Sequence, residues 1–453
     1  MSAALYILAW LGILLDLLGG LRWAGAVAGM ALLGFLLAEF PRQHRYAQIV
    51  FLALAGIGAI GIAQAASPME LFLEAWRRGA QFAAFFLSLG MLRDAAETSP
   101  LVRRCGAHLV AQPPGRRYAA LTGGAHVFGI ILSYGAIDLL AAMVMRANGT
   151  GPGTAVRAKR MLLAIYRGFV TMNCWAPLNL MSVVISTAVP AAPMTALMPL
   201  GLGFAVVAMA VGWLEDRVVY RQTVAGAAET TRESWAVHLG IVALVLAVML
   251  AAEAVAWGFG VRLATGITLT LPAIGLGWIA VQFARFGPAR LAGLLRRRLA
   301  RFYHRIPAFR GEATILGASG FAGVALGGLF PAAGLAPWLH GLPPLLIPLL
   351  VPVVLIGSGQ IGLNPIAVVT VLGAVLPAPE ALGVASATFA FACMLSWGLA
   401  VGMTPMSASA LTTARWGRVS PWLVSTVWNG RYTGLNLLVC WLAIALMHAV
   451  WPL

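Results

Sequence analysis

The sequence predicts an all-α polytopic membrane protein. It is built from two inverted-topology repeats, each of three spans, a re-entrant hairpin and two spans with a broken helix. Three observations lead there: the composition, the placement of arginine, and four polar interruptions at matching places in two halves. Of 453 residues, 61% are hydrophobic and only 10% are charged. Many apolar runs approach or exceed the roughly 20 residues that cross a hydrocarbon core. The stretch near Leu5 to Leu18 lacks a basic start and a small-residue cleavage site, so it reads as a first span.

Arginine marks the cytoplasmic loops. Its clusters are Arg42 and Arg45; Arg93, Arg103, Arg104, Arg116 and Arg117; Arg146, Arg157 and Arg160 with Lys159; Arg217, Arg221 and Arg232; the run from Arg285 to Arg310; and Arg415 with Arg418. Pro190–Pro193, Gly334–Pro344 and Pro377–Glu380 carry almost no basic charge and are expected outside. The net charge of +16 is therefore spread over short loops, which argues against a nucleic-acid partner. Arginine-dominated basic charge with abundant Ala and Gly suits a bacterial protein, hence the inner membrane, and spans near 4–20 and 24–40 leave the N-terminus and Arg42 both on the cytoplasmic side.

These marks set the layout. Residues 1–22 hold an extra N-terminal span, with spans near 24–40, 48–65 and 70–91 after it. The stretch 118–146 has basic loops at both ends, so it must enter and leave on one side as a hairpin. Spans near 161–189 and 194–213 close the first repeat, 23–214, and 215–236 forms a cytoplasmic linker. The second repeat, 237–453, has spans near 237–257, 263–284 and 312–333, a hairpin over 341–377 entering from outside, and spans near 381–413 and 425–451. In Pro288–His304, Leu291, Leu294, Leu295, Leu299 and Phe302 recur at helical spacing among arginines. That pattern predicts an interfacial helix with its arginines toward anionic membrane lipids.

The interruptions carry the function. They are Ser133-Tyr-Gly-Ala-Ile-Asp138 and Asn173-Cys-Trp-Ala-Pro-Leu-Asn179 in the first half, and Ser358-Gly-Gln-Ile-Gly-Leu-Asn-Pro365 and Thr404-Pro-Met-Ser-Ala-Ser409 in the second. Free backbone groups at membrane depth are tolerated where they line a protected cavity. Paired interrupted segments in two halves point to a secondary transporter's solute site. A broken helix offers N–H groups to an anion and carbonyls to a cation. Ser133, Tyr134, Gly135, Asn173, Pro177, Asn179, Ser358, Gln360, Asn364, Thr404, Pro405, Ser407 and Ser409 are the candidate binding residues. Asp138, an acid within an apolar hairpin, is the candidate for H⁺ or Na⁺, with an ion pair to Arg146 or Arg167 as its structural alternative. Asp16 and Glu253 lie near span ends and are expected to reach the interface. His126 is expected to hydrogen-bond between helices, and Trp175 either walls the site or packs.

The pattern resembles the ion transporter superfamily: divalent-anion/sodium symporters, arsenite permeases and the large subunits of tripartite transporters. Leu132–Val144 and Ile356–Val368 are similar to its two hairpin tips. Asn173–Asn179 resembles the Pro-x-x-Asn break of arsenite permeases, and Gly402–Ser409 the second break. The literal Ser-Asn-Thr signature is absent from both tips, so the carboxylates of the divalent-anion branch are not implied. The resemblance implies paired hairpins and broken helices around a midplane site, a scaffold half in each repeat, a homodimer, and an elevator-like movement.

The expected function is secondary active transport of a small, anionic solute without a resident cofactor. No Gly-x-x-x-x-Gly-Lys-Ser/Thr run is present to bind ATP, so an ion gradient must supply the energy. A subunit of a tripartite transporter and an intramembrane envelope-lipid enzyme are the alternatives. The enzyme would need gathered acids, bases or metal ligands; Asp138 with His126 is the one candidate pair, and Cys105, Cys174, Cys393 and Cys440 have no metal spacing.

Overall fold

The computed structural model describes residues 2–148, 153–220, 234–284, 287–326, 339 and 341–451. Every regular element among them is helical. The helices are α1 (Ser2–Gly19), α2 (Arg22–Glu39), α3 (Arg45–Ala63), α4 (Pro68–Glu97), α5 (Pro100–Val110), α6 (Pro114–Leu132), α7 (Gly135–Ala147), α8 (Thr154–Met172), α9 (Leu180–Ala188) and α10 (Met194–Val219) in the first half. The second half has α11 (Ala236–Gly258), α12 (Leu263–Phe283), α13 (Pro288–Arg305), α14 (Arg310–Ala325), α15 (Leu346–Gln360), α16 (Pro365–Val375), α17 (Ser386–Met403), α18 (Ala408–Gly417) and α19 (Gly430–Val450). Eight helices among the described residues are long and apolar enough to cross a membrane. Most of the expected linker and of the loop 334–344 lies outside the described residues.

At both expected hairpins two consecutive helices joined by a short turn contact each other, α6–α7 and α15–α16. Both expected breaks fall where Asn/Pro and Thr/Pro interrupt the apolar run, α8–α9 and α17–α18. Packing repeats between the halves: α6 lies along α8 as α15 lies along α17, and α10 packs on α8 as α19 packs on α17. The halves also exchange contacts, with hairpin arm α7 against α18 and hairpin arm α16 against α9. Beside this bundle, α4 packs along α14, α2 and α12, and α3 along α14. Glycine makes the closest approaches possible: a Cβ on Gly79 would lie 2.5 Å from the Gly317 carbonyl oxygen, so α4 and α14 touch backbone to backbone.

The stretch 98–117, read from sequence as a loop, contains α5. It is a short amphipathic helix that buries Val102, Cys105, His108 and Leu109 and exposes Arg103 and Arg104. In α13 the arginines do not all face outward. Arg298 is buried and donates from Nε to Asp94 at 2.7 Å, while Leu299 is 44% exposed. Arg305 reaches both Asp94 and Glu97. The acids at the end of α4 thus draw Arg298 inward and pair with Arg305, which stays exposed together with Arg290, Arg296, Arg297 and Arg301. Asp16, expected at the interface, is buried and paired with Arg77 Nη1 at 2.8 Å.

Candidate functional site

The first break is closed by its own asparagines. Asn173 ends α8 and donates from Nδ2 to the Phe169 and Val170 carbonyls at 2.9 and 3.3 Å. Asn179 caps α9, accepting the Met181 N–H at 3.1 Å, and donates from Nδ2 to Asn173 Oδ1 at 2.7 Å. Pro177 is buried, and its carbonyl accepts the Ser182 hydroxyl at 2.7 Å. Trp175 donates from Nε1 to His126 Nε2 at 2.9 Å, tying the break to the first arm of hairpin 1. His126 Nδ1 lies 3.1 Å from Thr171 Oγ1, whose own proton goes to the Gly168 carbonyl. With Nε2 accepting, Nδ1 holds the imidazole proton and the ring is a satisfied neutral bridge.

The second break has the same construction from different residues. Thr404 is buried and donates to the Ala400 carbonyl at 2.7 Å. Beyond buried Pro405, Ser407 caps α18, accepting the Ala410 N–H at 3.2 Å, and lies 3.1 Å from Ser409 Oγ. Just before the break the Gly402 carbonyl accepts from Tyr166 at 3.0 Å and from Asn429 Nδ2 at 2.9 Å. The two breaks meet through the crossing of α8 and α17. A Cβ on Gly398 would stand 2.2 Å from Cys174 Sγ, and one on Gly402 would stand 2.9 Å from Val170.

Hairpin 2 docks its tip on the second break. A Cβ on Gly359 would fall 2.2 Å from Thr404 Oγ1. Gln360 donates to the Met403 carbonyl and accepts the Thr426 hydroxyl at 3.1 Å. Asn364 caps α16 by accepting the Ile366 N–H at 2.9 Å, and Ser358 donates to its own helix at Leu355, 3.0 Å away. Hairpin 1 turns at Ser133, whose φ of 51° is left-handed. Such a value is uncommon for a residue with a Cβ. Tyr134 packs on Phe169, with ring centroids 5.5 Å apart, and Gly135 lies under Arg93.

Asp138 is not held by Arg146 or Arg167. Its Oδ1 accepts Arg415 Nη2 at 2.5 Å and Trp416 Nε1 at 2.8 Å, both from α18 in the other half. Its side chain is 41% exposed, so it is an accessible ion pair and not a sealed acid. Among the described residues, the candidates thus gather into two joined groups, each a hairpin arm or tip with a break, while the hydrogen bonds of Ser133 and Ser358 stay within their own hairpins.

A buried cation lies behind the second break. Arg167 on α8 donates to Asn429 Oδ1 and Tyr118 Oη, both at 3.1 Å, and reaches Glu215 at 2.8 Å. It also lies 4.4 Å from the centre of the Tyr432 ring. Asn429 follows a π-helical turn, Leu423–Trp428, and through it Arg167 is one hydrogen bond from the Gly402 carbonyl. Arg415, Trp416, Thr426 and Asn429 were not singled out as site residues from the sequence. The polar run Ser425-Thr426 and Asn429 at the start of the last apolar stretch was the available signal.

No family model matches the chain, and no curated protein sequence matches it. Among solved structures it is similar to the Alcanivorax borkumensis YdaH transporter, described as having an unusual topology. The TM-score is 0.55 and the identity 16%, over 89% of each chain. At that identity the likeness shows a shared fold.

Proposed function

We propose that the protein is a secondary active transporter that moves a small, anionic solute across the bacterial inner membrane, coupled to H⁺ or Na⁺. The observation that carries this reading is the meeting of two broken helices, Asn173–Asn179 and Thr404–Ser407, across the α8–α17 crossing, with a hairpin element docked on each. A packed core has no use for two interruptions whose polar groups must each be satisfied by a dedicated side chain. A transporter does, because half-helix N-termini such as those of α9 and α18 favour anionic groups. The fold shared with a protein described as a transporter supports the same reading.

Alternating access would come from elevator-like displacement of the hairpins and broken helices against α2–α4 and α11–α14, with the inverted repeats supplying inward and outward forms of one packing. The assembly would be a homodimer with its N-terminus in the cytoplasm. Asp138 is the coupling group in this scheme. It is partly exposed and held by Arg415 across the two halves, so protonation or cation binding would loosen a contact between hairpin 1 and the second break. The test is uptake of labelled small carboxylate, phosphate and oxyanion solutes into proteoliposomes under separately imposed proton and sodium gradients. Accumulation that collapses with one gradient supports the reading; gradient-independent equilibration of every solute refutes it.

A further inference from the structure

Between the first arm of hairpin 1 and α11 runs a long apolar groove that the transport scheme leaves unused. It consists of two cavities of about 500 and 630 Å³ whose linings share Val127 and Val242. Measured along α11 at ~1.5 Å per residue, the lining from Trp235 to Leu250 spans about 22 Å. That exceeds half of the ~30 Å hydrocarbon core, which is the depth an acyl chain of one leaflet covers. The groove opens sideways: Val242, Leu246 and Leu250 are 41%, 52% and 70% exposed. Water in such a slot would find almost no polar partner, whereas hydrocarbon fills it at no such cost.

The two ends differ in chemistry. One mouth holds Arg116, Trp235 and His238. The Arg116 side chain is exposed and makes no ion pair or hydrogen bond among the described residues. Trp235 is 52% exposed and meets His108 edge-on at 4.9 Å, the amphipathic arrangement found at headgroup level. On the hairpin side of this mouth the sequence is one-signed, with Arg103, Arg104, Arg116 and Arg117 and no acid between Glu97 and Asp138; on the α11 side Glu229, Arg232 and Glu233 precede Trp235. The other end has the single acid Glu253. An amphiphile lying in the groove would therefore put its negative end at Arg116.

We infer that one anionic phospholipid occupies this groove, its phosphate at Arg116 and Trp235 and an acyl chain running past Val127 and Val242 toward Trp175. The chain's far end would lie against His126 and Trp175, the pair that ties hairpin 1 to the first break, so the lipid would wedge the hairpin arm against α11.

Gly123 permits a clean test. It lines the groove, and a Cβ there meets nothing within 4 Å, so Gly123→Leu fills the slot without straining α6. The experiment is native mass spectrometry of the detergent-purified full chain titrated with phosphatidylglycerol or phosphatidylcholine, with thermal unfolding as a check of folding. The wild type should hold one phosphatidylglycerol more tightly than phosphatidylcholine by about fivefold or more, the discrimination one arginine near a surface provides. Arg116→Glu should abolish that preference, Gly123→Leu should weaken both lipids, and Arg290→Glu on α13 should change neither. Arg116→Glu binding phosphatidylglycerol as the wild type does would overturn the headgroup assignment. Unchanged binding by Gly123→Leu would overturn the groove as the binding place.

Discussion

Asp138 and Arg415 lie 277 positions apart and hold each other across the two halves of the chain. Both are substantially exposed, and such pairs contribute about 0–1 kcal/mol. Asp138→Asn should therefore leave the unfolding temperature of the purified protein almost unchanged, while in liposomes it permits solute exchange but not gradient-driven accumulation. A large drop in unfolding temperature would recast the pair as structural. Asn179 has the opposite profile. It caps α9 and bonds Asn173, so Asn179→Ala should cost about 0.5–2 kcal/mol in an unfolding measurement. The sequence reveals these residues better than their roles. Asn179 stood out in the sequence as a polar residue in a break and was expected to bind solute; its capping of α9 is seen only in the structure. The partner of Asp138 could not be read, because Arg415 looks like any other loop arginine until α7 and α18 are laid side by side.

At the scale of elements, the hairpins and breaks were legible because each gathers Gly, Pro, Asn, Ser or Thr into one short run, which frees several backbone groups at once and so needs a protected place. Which hairpin docks on which break was not legible, since docking depends on glycines whose neighbours are distant in sequence. Gly359 and Gly357 make the point testable. A Cβ at 359 would strike Thr404, whereas one at 357 meets nothing within 4 Å. Gly359→Ala should destabilise by about 1–3 kcal/mol and Gly357→Ala should be neutral or mildly stabilising, read by thermal unfolding. The short helix α5 is hard to read because Arg103, Arg104 and His108 interrupt a narrow apolar face carried by Val102, Cys105 and Leu109. Arg167 presents the strongest coupling between elements. Arg167→Ala would leave the largely buried Glu215 with only the longer, exposed contact to Arg431 at 4.0 Å, an effect of about 3 kcal/mol, and the loss should persist in Arg167→Lys because an ammonium cannot reproduce the guanidinium's simultaneous contacts to Asn429, Tyr118 and Glu215.

At the scale of the molecule, arginine placement predicts sidedness. After replacement of the four buried cysteines, new cysteines at Arg104 and Arg296 should label from one face of the membrane and a cysteine at Glu380 from the other. Labelling of all three from the same face would reject the inverted relation of the two halves. The overall plan of spans, hairpins and breaks was readable from hydropathy, arginine placement and the polar interruptions together, because a bilayer constrains the length, the flanks and the interior of every element. The solute was not, since breaks 173–179 and 404–407 satisfy most of their polar side chains internally and display no charged recognition group of their own. The central claim is that these breaks serve gradient-driven transport, and the most direct measurement is solute accumulation in proteoliposomes holding the wild-type chain. The account predicts that at least one small anion concentrates above its equilibrium level under an inward proton or sodium gradient and leaves when that gradient is dissipated. Folded, correctly inserted protein that concentrates none of them under either gradient would contradict it.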